Sequence, residues 1–186
     1  MTEELIIAGF GGQGVLSMGK ILAYSGIMHG QEVSWMPSYG PEMRGGTANV
    51  TVILSDEAIS SPYLHHFDTA IILNQQSMDK FESTVKPGGT LIYDPNGIID
   101  HPTRTDIDIF QIEGYKLATE LGNKKVFNMI VLGALLKEKP IVSINDVAEA
   151  LKKSVSERHH HLIPLNIEAL NVGMEKITPF TVTENV

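Results

Sequence analysis

The feature that most constrains this chain is a run of glycines that follows a short apolar segment near its start. After Glu4 the chain is apolar to Ala8 and then reads Gly9-Phe10-Gly11-Gly12-Gln13-Gly14. An apolar run of this length bounded by glycines is typical of a buried parallel strand. Apolar side chains then recur at helical spacing from Val15 to Met28, and Gly30 is a suitable stop. The start of the chain therefore predicts a strand, a glycine loop and a helix.

Farther along, strand and helix patterns alternate until helices dominate the end. Strands are predicted at Glu32–Met36, Ala48–Leu54, Phe67–Asn74, Thr90–Asp94 and Asp106–Ile112. Helices are predicted at Gln76–Val85, from Tyr115 onward, and at Asn128–Leu136, Ser143–Lys153 and Leu165–Ile177. This order favours an α/β fold: a Rossmann-like, doubly wound, mainly parallel sheet with a helical C-terminal layer. The 186 residues, 42% of them hydrophobic, suit one domain over 1–177, and we expect 178–186 to be a loose tail.

The glycines match the pattern G-x-G-x-x-G at Gly9, Gly11 and Gly14. Glycines between a strand and a helix let the backbone approach a diphosphate, whose charge the N–H groups of the helix end favour. Dinucleotide binding also requires a carboxylate at the end of the second strand, where this chain has Ser34-Trp35-Met36-Pro37. The sequence therefore disfavours NAD. Two interpretations remain, a contact to a phosphate or partner and a mere tight turn, and the candidate binding residues are Gly11, Gly12, Gln13 and Gly14.

A second unusual segment runs from Pro37 to Gly46 and is dense in turn formers and polar groups. Long ordered loops are more often functional than accidental. Arg44 can offer a planar fork to a carboxylate or phosphate, and Tyr39 a hydroxyl or a flat face. The alternative is a surface turn whose charged groups are solvated. The candidate binding residues here are Ser38, Tyr39, Glu42, Arg44, Gly45 and Gly46. Because both loops follow strands, we expect them at the same edge of the sheet.

These two segments resemble one protein family. Gly9–Ala23, GFGGQGVLSMGKILA, together with Pro37–Asp56, PSYGPEMRGGTANVTVILSD, is similar to the gamma subunit or gamma-type domain of 2-oxoacid:ferredoxin oxidoreductases. Both motifs occur in family order and spacing, and the similarity continues weakly to about Gly173. Met43-Arg44-Gly45-Gly46-Thr47 differs from the Arg-Arg-Gly-Ala form of the pyruvate enzymes. It resembles the 2-oxoglutarate and branched-chain 2-oxoacid types, of which we favour 2-oxoglutarate.

The resemblance implies a complex that decarboxylates a 2-oxoacid on thiamine diphosphate with Mg²⁺, reduces ferredoxin through iron–sulfur clusters and releases an acyl-CoA. The chain contains no cysteine, so it cannot ligate such a cluster through cysteine. It also lacks the Gly-Asp-Gly thiamine signature. The resemblance therefore assigns the redox and thiamine chemistry to alpha-, beta- and delta-type partner subunits. This chain would help enclose the active site or the CoA path, and no catalytic residue is assigned to it.

The composition and smaller motifs argue against nucleic-acid, membrane and metal binding. A net charge of −8, from 22 acidic and 14 basic residues, argues against nucleic-acid binding. The apolar start is too short for a signal peptide or membrane span, so we expect a cytoplasmic protein that does not bind membranes. His159-His160-His161 is not expected to hold a metal, since neighbours on a helix point about 100° apart. Asp94-Pro95-Asn96-Gly97 is interpreted first as a turn and second as a ligand contact.

Two alternatives to a complex subunit stay open at this level. One is a free-standing Rossmann-type protein that binds a nucleotide through the glycine loop, and the other is a docking module without a ligand. Under the subunit hypothesis we expect the isolated chain to be inactive. We also expect it to self-associate, because apolar surface made for an obligate partner is rarely left bare.

Overall fold

The computed structural model describes residues 1–38 and 47–182. Seven strands occur in these ranges: β1 Thr2–Phe10, β2 Glu32–Ser38, β3 Thr47–Ser55, β4 Phe67–Ile72, β5 Val85–Tyr93, β6 Asp108–Gln111 and β7 Thr178–Pro179. The six α-helices of the same ranges are α1 Val15–His29, α2 Gln75–Phe81, α3 Gly114–Glu120, α4 Phe127–Glu138, α5 Ile144–Ser154 and α6 Ile163–Lys176. None of these helices is long and apolar enough to span a membrane.

The strands form one sheet in the order β2-β3-β1-β4-β5-β6-β7. Strand β1 pairs in parallel with β4, β4 with β5, and β5 with β6. The pairs β1–β3, β2–β3 and β6–β7 are antiparallel. Because β3 is antiparallel to both β1 and β2, strand β2 runs in the same direction as β1. The sheet is thus mainly parallel in direction, which confirms the predicted α/β class.

Both faces of the sheet are covered, because successive side chains of each strand point to opposite sides. On one face, Leu5 and Ile7 of β1 pack in a cluster with α1, α4, α5 and α6. On the other face, Ile6 and Ala8 pack in a second cluster with Met78 of α2. Helices α4 to α6 form the predicted C-terminal helical layer. Helix α4 is buried nearly all round, as its continuous apolar sequence predicts.

The predicted elements are mostly present, and helix α5 begins as its sequence predicts. Ser143 is its N-cap and forms a capping box with Asp146, in which each side chain bonds the other residue's backbone N–H. The helix predicted over Gln76–Val85 is too long at its C-terminal end. Val85 instead begins β5, where it pairs with Phe67 of β4. The ladder with β4 then resumes at Thr90, opposite Thr69, so Lys86-Pro87-Gly88-Gly89, which has turn composition, forms an irregularity within β5.

The predicted loose tail also needs correction in its first part. Strand β7 adds to the edge of β6, with Phe110 opposite Pro179 and Gln111 opposite Thr178. Phe180 and Val182 then pack against the cluster on the α2 face. Residues 178–182 are therefore part of the folded domain, while 183–186 lie outside the described residues. A pairing with a strand so far away in sequence has no local signal.

Candidate functional site at the carboxyl edge of the sheet

The glycine loop connects the end of β1 to the N-terminus of α1. Gly12 and Gly14 have φ angles of 96° and 74°, in the left-handed region that favours glycine. Gly14 is the N-cap of α1, so no side chain caps this helix, and its first turn contains no acidic residue. The first N–H groups of a helix lack partners within the helix and carry partial positive charge. The end of α1 is therefore receptive to an anion.

The side chain of Gln13 holds this loop in place. Its Oε1 accepts a hydrogen bond from the backbone N–H of Phe10, and its Nε2 donates to the carbonyl of Leu73 at 3.0 Å. Leu73 directly follows β4, the parallel neighbour of β1. Gln13 thus ties the loop after β1 to the end of β4, and both of these polar atoms already have protein partners.

The loop lies where the chain connections diverge across the sheet. Helix α1 leads from β1 to β2 along one face, whereas α2 leads from β4 to β5 along the other. Strands β1 and β4 are neighbours, so a crevice opens between their carboxyl ends. In open α/β sheets, ligands bind at such a switch point.

A cavity of about 180 Å³ occupies this crevice. Four segments contribute to its walls: the glycine loop, the end of β4, the turn after β5, and the region from α3 to the start of α4. The lining residues are Gly12, Gln13, Leu73, Asp94, Asn96, Gly97, Tyr115, Lys124 and Phe127. We call this cavity the carboxyl-edge pocket.

Asp94 organises one wall of the carboxyl-edge pocket. It is 2% exposed, and its carboxylate accepts hydrogen bonds from the backbone N–H groups of Asn96 at 2.8 Å and Tyr115 at 3.0 Å. Burial raises the pKa of Asp94, although the bonds from Asn96 and Tyr115 act in the opposite direction. Asp94 therefore joins the turn after β5 to the start of α3, which is a positioning role.

Lys124 adds a cation to the lining of the carboxyl-edge pocket. Lys124 Nζ donates to the hydroxyl of Tyr115 at 2.8 Å and lies 4.9 Å from the centre of its ring. This contact holds the ammonium group beside the carboxyl-edge pocket, and its further N–H groups remain able to donate to another acceptor. Lys124 gives this pocket a cation that favours a phosphate or carboxylate group, while both carboxylate oxygens of Asp94 already accept backbone N–H groups.

The described structure brings together some of the candidate residues and separates others. Gly12 and Gln13 line the carboxyl-edge pocket, and Gly11 and Gly14 flank them in the loop. Ser38 does not line it: Ser38 pairs with Asn49, which pairs with Ala8, so Ser38 lies two strand spacings, about 10 Å, from β1. Five candidates lie outside the described residues, namely Tyr39, Glu42, Arg44, Gly45 and Gly46.

The described residues on either side of 39–46, Ser38 and Thr47, both lie at this edge. Thr47 pairs with Phe10 at the end of β1, and Ser38 pairs with Asn49. Strands β2 and β3, which contain Ser38 and Thr47, lie on one side of β1, whereas β4, whose end lines the carboxyl-edge pocket, lies on the other. Strands β1 and β2 end at the same edge of the sheet because β3, which lies between them, is antiparallel to both.

The sequence indicated Asp94 only as part of a turn with a second interpretation as a ligand contact, and it gave no indication for Tyr115 or Lys124. A signal existed for Asp94, because it follows a predicted strand and the carboxyl ends of parallel strands share one edge. Tyr115 and Lys124 have no comparable local signal, since the carboxyl-edge pocket gathers them from separate turns of the chain. They were found only through the contacts of the folded chain.

Two of the three consecutive histidines, His159 and His160, have hydrogen-bond partners nearby in the chain. His160 Nε2 donates to the carbonyl oxygens of Lys152 at 3.0 Å and Val155 at 3.2 Å, which connects the end of α5 to the next turn. His159 Nδ1 lies 3.3 Å from Ser156 Oγ. Across residues 1–38 and 47–182, no group of three His, Cys, Asp or Glu side chains is arranged to hold a metal ion.

Comparison with known sequences connects this architecture to one group of proteins. A family model described as pyruvate ferredoxin/flavodoxin oxidoreductase matches residues 4–176. The 2-oxoglutarate synthase subunit KorC of Methanothermobacter marburgensis is 34% identical over 184 residues, which cover 95% of this chain and 97% of that subunit. The ketoisovalerate oxidoreductase subunit VorA of the same organism is 33% identical over 171 residues, covering 91% of this chain. This chain spans only about a third, 35%, of the length of VorA.

Two solved structures share the fold over nearly the whole chain. The gamma subunit of keto/oxoacid ferredoxin oxidoreductase from Geobacter sulfurreducens has a TM-score of 0.81 and 28% identity, with 95% of this chain and 96% of that chain covered. The 2-oxoglutarate:ferredoxin oxidoreductase from Magnetococcus marinus, solved with 2-oxoglutarate, coenzyme A and succinyl-CoA bound, has a TM-score of 0.84 and 26% identity. That match covers 94% of this chain and 30% of the other.

Proposed function

Because the chain belongs to the pyruvate ferredoxin/flavodoxin oxidoreductase family, we propose that it is the gamma-type subunit of a 2-oxoacid:ferredoxin oxidoreductase complex. The reaction converts a 2-oxoacid, CoA and oxidised ferredoxin to an acyl-CoA, CO₂ and reduced ferredoxin. The observation that carries this proposal is the end-to-end correspondence with KorC, which covers 95% of this chain and 97% of that subunit. A free-standing nucleotide-binding protein would not be expected to match a complex subunit along its whole length.

The proposed 2-oxoacid is 2-oxoglutarate. KorC subunits of 2-oxoglutarate synthases from four organisms are each 34% identical to this chain, and the ketoisovalerate subunit VorA is 33% identical. The Met43-Arg44-Gly45-Gly46-Thr47 sequence agrees with this choice. Activity of the native complex with 2-oxoglutarate and with 3-methyl-2-oxobutanoate, compared as kcat/KM, tests it directly. A preference for the branched acid would overturn it.

The cofactors of the reaction are proposed to be bound by partner subunits. Thiamine diphosphate with Mg²⁺ and the iron–sulfur clusters would be held by alpha-, beta- and delta-type chains, and ferredoxin would dock on the complex. The chain has no cysteine to ligate a cluster, which supports this division. A cytoplasmic location fits a complex of this kind.

The proposed contribution of this chain is to bind part of CoA at the carboxyl-edge pocket. The pocket is lined by Gly12 and Gln13 of the loop that leads into the uncapped end of α1, and by Lys124, whose ammonium group favours a phosphate. Gly12, which has no side chain, lets the backbone come close to such a group. A cavity of about 180 Å³ accommodates only a portion of CoA, so the remainder would lie against partner chains.

A matched pair of lysine variants tests this role. Lys124 lines the carboxyl-edge pocket, whereas Lys125 follows it in the same short 3-10 turn and lines a different cavity. In the reconstituted complex, Lys124→Ala is expected to raise the KM for CoA about tenfold, which is the lower end of the about 1.5–3 kcal/mol of a charge-assisted hydrogen bond, because Lys124 is exposed. Lys125→Ala should leave the KM for CoA at the wild-type value.

The assay follows 2-oxoglutarate-dependent reduction of a viologen dye at varied CoA concentration. Equal KM values for CoA in both lysine variants and wild type would show that the carboxyl-edge pocket does not bind CoA. The subunit assignment itself is tested separately, by mass spectrometry of the proteins that copurify with the native chain. Recovery of a thiamine-motif chain and a cysteine-rich chain supports it, and their absence contradicts it.

A further inference from the structure

The C-terminal segment 178–182, which we call the strap, follows the region that the family model matches, residues 4–176. The strap is antiparallel to β6 and extends the ladder beyond β7, because the N–H of Phe180 donates to the carbonyl of Ile109 at 2.8 Å. The strap is therefore attached by backbone hydrogen bonds to an edge of the sheet. It is also attached by side chains on the face that carries α2.

Phe180 makes the main side-chain contacts of the strap. Its ring meets the ring of Tyr93 edge-on, with centres 5.6 Å apart and planes at 88°. It also stacks on the ring of His101, with centres 5.3 Å apart and planes at 26°. The Tyr93 hydroxyl lies 3.3 Å from His101 Nδ1, so the three rings form one cluster. Tyr93 is fully buried in this cluster.

The two residues that Phe180 contacts bracket one wall of the carboxyl-edge pocket. Tyr93 immediately precedes Asp94, and His101 follows the turn that contains Asn96 and Gly97. Between them, local backbone hydrogen bonds shape the turn: Gly97 N–H donates to the Asp94 carbonyl at 3.3 Å. The N–H groups of residues 99 and 100 are bonded at 2.8 and 2.9 Å to Oε1 of Gln75, at the start of α2.

We propose that the strap fixes residues 94–101 and thereby controls the affinity of the carboxyl-edge pocket for its ligand, with Phe180 as the positioning residue. Phe180 restrains both ends of the turn, so its loss frees Tyr93 and His101 together. The turn then opens more often, and Asp94 and Asn96 leave the geometry that lines this pocket. The inference rests on the proposed CoA role of the pocket, and it assigns a positioning element that lies beyond the matched family region.

The first measurement is amide hydrogen exchange of the unliganded chain, which does not depend on CoA. Aromatic pairs of this geometry contribute about 0.5–1.5 kcal/mol, so Phe180→Ala is expected to speed exchange at 97–100 roughly three- to tenfold. Exchange in β1 and β4 should stay as in wild type. Thr181→Ala is the matched control, because Thr181 lies on the same strap with an exposed side chain. It should leave exchange at 97–100 unchanged.

The second measurement is the steady-state kinetics of the reconstituted complex with CoA varied. Phe180→Ala should raise the KM for CoA several-fold with kcat retained, whereas a general loss of folding would lower kcat. Phe180→Leu keeps an apolar side chain but loses the aromatic contacts. It should show the same effects, and it replaces the alanine variant if that variant fails to fold.

The outcomes separate the strap from the CoA role. Wild-type exchange at 97–100 in both Phe180 variants overturns the strap proposal, whatever the kinetics. Faster exchange with an unchanged KM for CoA overturns the link to the carboxyl-edge pocket, provided that Lys124→Ala does raise that KM. If Lys124→Ala also leaves the KM unchanged, the CoA role fails, and faster exchange alone then supports only the strap's hold on the turn.

Discussion

Alanine substitutions at Gly12 and Gly14 separate backbone strain from packing in the glycine loop. Both residues have left-handed backbone, with φ of 96° and 74°. A Cβ at Gly14 would lie 3.0–3.1 Å from side-chain atoms of Asn128 on α4. At Gly12, no atom of the described residues lies within 4 Å of the corresponding position. The two variants therefore share the strain and differ in crowding.

The expected magnitudes follow from these distances. A left-handed residue with a Cβ costs about 1–2 kcal/mol, so Gly12→Ala should lower the free energy of unfolding by that amount. Overpacking costs about 1–3 kcal/mol. Because the contacts to Asn128 are short by only a few tenths of an ångström, we expect the lower end of that range. Gly14→Ala should therefore lower the free energy of unfolding by about 1 kcal/mol more than Gly12→Ala.

Urea unfolding, followed by far-UV circular dichroism and by fluorescence of Trp35, the single tryptophan, measures these free energies. Combining Gly14→Ala with Asn128→Ala removes two of the three short contacts and should be less destabilising than the sum of the single variants by about 0.5–1 kcal/mol. Equal destabilisation by the two glycine variants, or strict additivity in the double variant, would refute the argument that α4 supports this loop.

Three further predictions concern other parts of the molecule. Burial raises the pKa of Tyr93 to about 12, so the stability that its neutral form contributes is present below about pH 10 and is lost as the pH rises towards 12. Between pH 8 and 11, the wild-type protein should lose about 1 kcal/mol more than Tyr93→Phe in urea unfolding, and equal losses would contradict this. Burial alone would raise the pKa of Asp146, but hydrogen bonds from Ser143 and His29 lower it on balance. Asp146→Asn should cost about 1 kcal/mol at pH 7, and this cost should vanish as the pH falls through the lowered pKa; a cost that persists in acid would show that it does not arise from the charge of Asp146. Arg44→Ala is expected to weaken assembly of the complex or the use of CoA by about ten- to hundredfold, and wild-type values for both would identify Arg44 as a solvated surface residue.

The parts of the fold that depend on neighbouring residues were predictable from the sequence. The strand, glycine loop and helix at the start, the cap at Ser143 and the buried helix α4 each have a local pattern that is sufficient to identify them. The start of β5 at Val85 and the strap at 178–182 were not predicted. Both form by pairing with distant strands, and the local sequence at each has the composition of a turn or a tail.

The candidate site likewise has one part that the sequence predicted and one part that only the fold shows. The sequence by itself determined that the glycine loop precedes a helix N-terminus and can face an anion. Only the tertiary structure decided what lies opposite the loop. The crevice lies between β1 and its parallel neighbour β4, so Gly12 lines one pocket with Asp94, Tyr115 and Lys124. Strand β2 is separated from β1 by β3, so Ser38 lies two strands away. Strand order results from how the helices cover the two faces of the sheet, which no short stretch of sequence specifies.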